Sequence, residues 1–422
     1  MLAELRLLDG ILLIALGWLA IGFAGLAFPR KTELIGHVLF PIGTAGGLAL
    51  ALLALLGIGA TPQALILPLG LPDLPFHLRL DALSAFFLCL LGIASTGISI
   101  YAAGYFRHSE GALPGRQCLL YHVFLASMVF VLLADDGYAF MVAWESMALS
   151  SFLLVTSEHQ HSEIRRAGYL YLLIAHIGAL AILLSFGIMA GSAGDYTFDA
   201  MRDFYHDGIW PTVAFLLALF GFGAKAGLLP LHIWLPEAHP AAPSPVSALM
   251  SGVMLKTAIY GIIRISLDLL DDNLWWWGVL LLVIGLITAI FGVIYAAIQS
   301  DMKRLLAYSS IENIGVIFVG LGLALTFKSF MLPHLSALAM TAMLYHCLNH
   351  ACFKSLLFLS TGSVLHATGE RNLGKLGGLI HRMPWVAWLA LVGVLASAGL
   401  PPLNGFISEW LLLQSFLFTS SL

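Results

Sequence analysis

In this chain of 422 residues, 60% are hydrophobic and only 10% are Asp, Glu, Lys or Arg, against roughly 25% charged in an ordinary soluble domain. Water cannot be the solvent for so much apolar side chain, so the composition points to lipid. The formal net charge of −4 leaves no basic surplus for nucleic acid. The cysteines Cys89, Cys118, Cys347 and Cys352 lie scattered in apolar runs without a CxxC, which suits neither a disulfide scaffold nor an iron–sulfur site.

Apolar runs long enough to cross a bilayer stand at 11–28, 34–60, 82–106, 117–134, 137–156, 167–191, 209–235, 245–269, 274–298, 305–327, 331–365 and 383–421. The first is followed by Arg30 and Lys31 and lacks a small-residue cleavage site, so it reads as a retained span rather than a signal peptide. The seventh and the last are interrupted. The expected fold is all-α: a polytopic transmembrane helix bundle of about twelve spans.

Loop charge orients the spans. Loops after odd-numbered spans hold Arg30, Lys31, Arg107, Arg116, Arg165, Arg166, Lys303, Arg304, Arg371, Lys375 and Arg382. The other side holds only Arg6, Arg79, Arg202, Arg264 and Lys328, and it is rich in acids: Asp135, Asp136, Asp199, Asp203, Asp207, Asp268, Asp271 and Asp272. The bias places the first set in the cytoplasm and the N-terminus outside it. Lys225, Lys256 and Lys354 have no loop to sit in.

Two octets resemble each other. Ala224-Lys225-Ala226-Gly227-Leu228-Leu229-Pro230-Leu231 matches Ala396-Ser397-Ala398-Gly399-Leu400-Pro401-Pro402-Leu403 at six positions, in spans seven and twelve. Copies an odd number of spans apart cross the membrane in opposite directions, the mark of inverted-topology repeats with broken helices. Chance likeness of two Gly/Pro/Leu-rich stretches is the plainer account. Against it, both copies break a spanning run and both neighbour a buried charge.

A Lys, Arg or Asp at the bilayer centre costs about 2.5–3.5 kcal/mol even on the lenient insertion scale, so each needs a partner, water or a task. Glu145 lies near the middle of span five, Lys225 one turn before the Gly227/Pro230 break, and Lys256 in the centre of span eight. A static Glu145–Lys225 ion pair is one reading, but a buried pair is weak support for stability. In span eleven His346, His350 and Lys354 follow at i, i+4 and i+8, on one helical face. A metal site would need further carboxylate or thiolate ligands and would be opposed by Lys354; satisfied core histidines are a second reading. A proton relay is favoured, because histidine titrates near neutrality and a desolvated lysine can be drawn toward it. Glu409 follows the second break and either joins this set or faces the membrane surface. His176 reads equally as a structural hydrogen-bonder or a relay member; Glu312, His37, Glu237 and His239 read as span-end or loop residues. Together, Glu145, Lys225, Lys256, His346, His350, Lys354 and Glu409 form a candidate proton path.

Phe220-Gly-Phe-Gly-Ala-Lys225-Ala-Gly-Leu-Leu-Pro-Leu-His-Ile-Trp-Leu-Pro-Glu-Ala-His-Pro240, continuing through Pro243-Ser-Pro-Val-Ser-Ala248 to Gly252-Val-Met-Leu-Lys256, resembles the proton-conducting, antiporter-like membrane subunits. These include the large membrane-arm subunits of respiratory complex I, Mrp-type sodium/proton antiporters and energy-converting hydrogenases. Asp301–Ser309, His350–Phe358 and Pro401–Trp410 fit the same pattern. Among branches, hydrogenase-4 component B is the most similar and the formate hydrogenlyase membrane subunit next. The resemblance implies a Glu145–Lys225 pair, a central Lys256, a His346–His350–Lys354 connection and an exit-side Glu409. It further implies a three-helix segment at 1–115, a first inverted repeat at 116–270 and a second at 271–422. The family core has about fourteen spans, so the second repeat is expected to be incomplete and the chain a fragment. Implied partners are other membrane subunits, peripheral hydrogenase or oxidoreductase subunits, the bilayer, and protons or Na⁺. No cofactor or metal is expected in this chain, since nothing in it suits a flavin, nickel or an iron–sulfur cluster. The implied place is a bacterial or archaeal cell membrane, and the alternative function is Na⁺/H⁺ antiport.

Single cysteines introduced at Arg165, Arg304 or Arg371 in a cysteine-free background should label from the cytoplasmic side, and one at Asp272 from outside. Labelling of position 272 only from the cytoplasm would overturn the span count.

Overall fold

An uncharged apolar run leaves the backbone as its polar group in hydrocarbon, and the α-helix satisfies that backbone within a single segment. The computed structural model describes residues 6–107, 113–191, 194–203, 208–270 and 274–417. Asp207, Asp271 and Asp272 lie outside the described residues. The helices are α1 Leu7–Ala27, α2 Thr32–Gly57, α3 Ala82–Tyr105, α4 Pro114–Leu133, α5 Gly137–Val155 and α6 Ser162–Ala190. They continue with the short α7 Phe198–Asp203, then α8 Trp210–Ala226, α9 Leu235–Ala241, α10 Ser244–Leu269, α11 Trp275–Ala297 and α12 Met302–Ser329. The 36-residue α13 Pro333–Thr368 is followed by two half-length helices, α14 Pro384–Ser397 and α15 Asn404–Leu417. Each expected span is helical, and the all-α class holds.

One element lies outside that reading. β1 Gln63–Leu71 pairs antiparallel with β2 Leu74–Leu80, Gln63 opposite Leu80, with an irregularity between Leu67 and Gly70. Pro68, Pro72 and Pro75 mask the strands in sequence.

The chain divides into two compact units, Met1–Phe222 with Ala241–Leu270, and Gly223–Pro240 with Asp271–Leu422. In the first, Arg264 is not a loop residue. It lies within α10, 6% exposed. Its guanidinium donates to both oxygens of Asp81 (Nη1 to Oδ2 2.7 Å, Nη2 to Oδ1 3.0 Å) and to Asp268 Oδ2 at 2.8 Å. Such a fork of donors matches carboxylates well enough to be buried beside them. Asp81 also caps α3, accepting from the Ser84 amide at 2.9 Å. Burial would raise the Asp81 carboxyl, but Arg264 overrides it and holds the pKa at about 2. Asp268 is further gripped by Arg202, which donates from Nε and Nη2 at 2.9 Å. Arg202 also stands 3.6 Å from Asp135, and there burial wins over Arg202 and Arg79, pushing Asp135 up to about 6. The acids and bases assigned to outside loops therefore knit α3, α7 and α10 together.

In the second unit α11 and α12 pack through glycines. Added β-carbons at Gly278, Gly285 and Gly292 would meet backbone atoms of α12 at 2.6, 2.8 and 2.4 Å, so only small residues allow this approach. Lys303 also leaves the loop set: it lies in the first turn of α12, 2% exposed.

The two octets end their helices alike. Gly227 has φ 86° and Gly399 φ 62°, a backbone that glycine adopts without steric cost. After each, the next amide reaches back five residues, Leu228 to the Gly223 carbonyl at 2.9 Å and Leu400 to the Leu395 carbonyl at 3.2 Å. This is the Schellman closure of a helix C-terminus. A cis X–Pro bond follows in both, Leu229–Pro230 and Pro401–Pro402.

Arg264→Met should leave Asp81 and Asp268 without their shared partner and cost about 3–5 kcal/mol. Thermal unfolding in detergent checks this; an unchanged midpoint would show that the network is not structural.

Candidate functional site

Of the expected path residues, Glu145 and Lys256 belong to the first unit, while Lys225, His346, His350, Lys354 and Glu409 belong to the second. Lys256 is fully buried, and its Nζ donates to the Ser251 carbonyl at 2.6 Å. A wide π-helical stretch, Met250–Met254, immediately precedes it; such widened turns often mark functional positions. Glu145 is only partly buried and stands 3.6 Å from His176 on the neighbouring α6.

Lys225 is buried in the last turn of α8, just before the break. The break is braced from its own unit: the Trp234 indole donates to the Ala224 carbonyl at 2.9 Å, and the Leu229 amide to Thr288 Oγ1 at 3.3 Å. Beyond it, Glu237 pairs with Arg304, while His239 is fully buried against the Phe358 ring at 5.0 Å. His239 is thus a core residue rather than a loop residue.

The α13 face is as its spacing predicts, with His346, His350 and Lys354 all buried. His346 is held at both ends: Nε2 faces Asn313 Oδ1 at 3.1 Å and Nδ1 faces Ser408 Oγ at 3.0 Å. Asn313 donates its own Nδ2 to the Ser309 carbonyl at 2.7 Å. Its Oδ1 is then the accepting atom, so the neutral ring carries its proton on Nε2. Asn349 donates to Ser408 Oγ at 3.1 Å and to the Asn404 carbonyl at 2.8 Å, and Asn404 returns a bond to Asn349 Oδ1 at 3.1 Å. Neutral amides and a hydroxyl thereby tie the α13 histidine face to α15, just after the second break. Among the described residues no group of three or more His, Cys, Asp or Glu is placed to hold a metal ion.

Lys354 is fully buried, and its Nζ makes no hydrogen bond to the described residues. Its electrostatic partner is Glu312, which also lies within electrostatic reach of Glu409. Glu312 is held by Ser309 Oγ, which donates to Oε2 at 3.1 Å. At the second break the approach is close: a β-carbon on Gly399 would lie 2.5 Å from Glu409 Oε2 and would displace that carboxylate. Sequence reasoning missed Glu312, Asn313, Asn349 and Ser408. Two signals were available, Asn349 at i+3 from His346 and Ser408 at i+4 from Asn404, while the position of Glu312 beside Lys354 is purely tertiary.

Comparison with known proteins identifies this architecture. The NADH:quinone oxidoreductase/Mrp antiporter transmembrane family profile matches residues 134–422. The chain belongs to this family. It is thus a multi-pass integral membrane protein of the antiporter-like group. It is 44% identical over 340 residues to hydrogenase-4 component B of Escherichia coli, covering 80% of this chain and 50% of that protein. Formate hydrogenlyase subunit 3 of the same organism is 36% identical over 342 residues, covering 81% of this chain and 54% of the relative. The chain therefore spans about half the length of these curated relatives. Among solved structures, a chain of the Mrp complex from Dietzia sp. superposes with a TM-score of 0.85 at 25% identity, covering all of this chain and 76% of that one.

Replacing the pair as a whole, Lys354→Met with Glu312→Gln, removes a buried ammonium that lacks a hydrogen-bond partner among the described residues without leaving a lone carboxylate, so the double variant should unfold at the same or a higher temperature than the parent. A melting point clearly below the parent's would show that the Glu312–Lys354 pair is structural.

Proposed function

We propose that this chain is a proton-translocating membrane subunit of a hydrogenase-4, formate-hydrogenlyase or complex I-like oxidoreductase, carrying protons along Glu145, Lys225, Lys256, His346, His350, Lys354 and Glu409. The observation that carries this reading is the burial of Lys225, Lys256 and Lys354 within helices of a membrane-embedded bundle, a costly arrangement that a static fold has no use for. Glu312 joins the path as the carboxylate facing Lys354 and Glu409. His346, held by Asn313 and Ser408, is positioned to exchange a proton along that face. Electron transfer belongs to peripheral partner subunits, because the four cysteines are scattered and no cofactor-binding set exists in the sequence.

The two octets with matching Schellman ends support a pair of inverted repeats, 116–270 and 271–422, after an N-terminal segment 1–115. The acidic and basic loop bias supports an N-terminus outside the cytoplasm in a bacterial or archaeal cell membrane. The 44% identity to hydrogenase-4 component B supports an oxidoreductase partner over Na⁺/H⁺ antiport.

Lys225→Ala and Lys256→Ala should each insert and assemble while lowering coupled proton translocation by about a hundredfold or more, as loss of a proton-transfer group does. Pumping is to be measured in sealed vesicles containing the assembled complex. Parental stoichiometry in either variant would remove that lysine from the path, and coupling carried by Na⁺ in the parent would favour the antiporter reading.

A further inference from the structure

Glu145 sits midway along α5, and His176 midway along α6. Both belong to the first unit, and their side chains meet at its outer surface, 32% and 48% exposed. The neighbours on this face are apolar: Val142 and Leu149 flank Glu145, and Leu173, Ile177 and Leu180 flank His176, all exposed. A charge there cannot be shown cheaply to hydrocarbon, so this edge faces water or protein in the assembled membrane.

The imidazole is fixed in one tautomer. Its Nδ1 lies 2.9 Å from the Leu172 carbonyl, one turn back on α6. A carbonyl only accepts, so the neutral ring carries its proton on Nδ1 and turns the Nε2 lone pair toward Glu145. Nε2 stands 3.6 Å from Glu145 Oε2. With the carboxylate ionised and the ring neutral, two acceptors face each other and no hydrogen bond can form. One added proton, on either atom, creates it. The geometry is that of a pair that holds one proton between two acceptors.

We infer that His176 is the proton-exchange partner of Glu145, passing protons between that carboxyl and the open edge of the α5–α6 face. In the step away from Glu145, the Oε2–H bond breaks and an Nε2–H bond forms, leaving a carboxylate beside an imidazolium. A water molecule at the open edge then takes the Nε2 proton and restores the neutral ring; the opposite direction is the reverse. The valine, leucines and isoleucine flanking the pair have no protons to exchange, and His176 is the titratable group that stands against Glu145. This inference rests on the proton-translocating reading and deepens it.

The test uses the assembled complex in sealed vesicles, with parent, Lys225→Ala, His176→Gln and His176→Ala side by side. His176→Gln keeps a hydrogen-bonding side chain but cannot titrate, and it should slow proton translocation by about tenfold or more. His176→Ala should show the same loss and be restored by added imidazole, which can enter the space left at the half-exposed site; His176→Gln, its space filled, should not be restored. A residue that only supports packing would give no imidazole rescue. If the parent pumps, Lys225→Ala does not, and His176→Gln pumps at the parental rate, the inference falls while the functional reading stands. Absence of imidazole rescue in His176→Ala likewise overturns the inference. A parent that moves no protons overturns both.

Discussion

The structure depends on the cost of placing ionised groups in hydrocarbon. Each basic side chain set deep in a helix must be solvated by the protein itself, and it is done in two ways. Arg264 is matched by carboxylates, with Asp81 and Asp268 fitted to its planar fork and Tyr260 and Ser84 completing its donors. Lys256 is met by the Ser251 carbonyl. The first arrangement is strongly bound and charge-neutral, suited to holding helices. The second meets the ammonium with a backbone dipole, an arrangement suited to exchange. Lys354, with Glu312 as its electrostatic partner and no hydrogen bond to the described residues, is likewise suited to exchange.

Helix irregularity serves the same end. Backbone that departs from regular helix at membrane depth is tolerated where protein covers it. Here the departures sit beside the candidate residues: the π-helical stretch before Lys256, the Gly227 ending after Lys225, and the Gly399 ending against Glu409. Around His346 the connecting groups are amides and hydroxyls rather than charges. Neutral groups can fix a ring without fixing its charge, which leaves the histidine able to change protonation.

Much of this was legible in the sequence, and the rest was hidden for identifiable reasons. The spans follow from uncharged runs, the breaks from Gly/Pro octets, and the α13 face from i, i+4, i+8 spacing. The hairpin at Gln63–Leu80 was hidden by prolines and by apolar residues on both of its faces. Arg264 was read as a loop residue because a charge near a span end ordinarily is one; only the approach of Asp81, far away in the chain, permits its burial. Glu312, Asn313, Asn349 and Ser408 were passed over because their roles exist only once α12, α13 and α15 are packed. The outward placement of Glu145 beside His176 likewise needed the packing of α5 on α6.

The central claim is that the buried lysines and histidines move protons rather than hold helices together. The most direct measurement is the pH change across sealed vesicles containing the purified assembled complex while its redox partners turn over. The account predicts a pH gradient that grows with turnover, collapses on adding a protonophore and needs no Na⁺. Turnover at full rate with no gradient, in vesicles shown to be proton-tight, would contradict it.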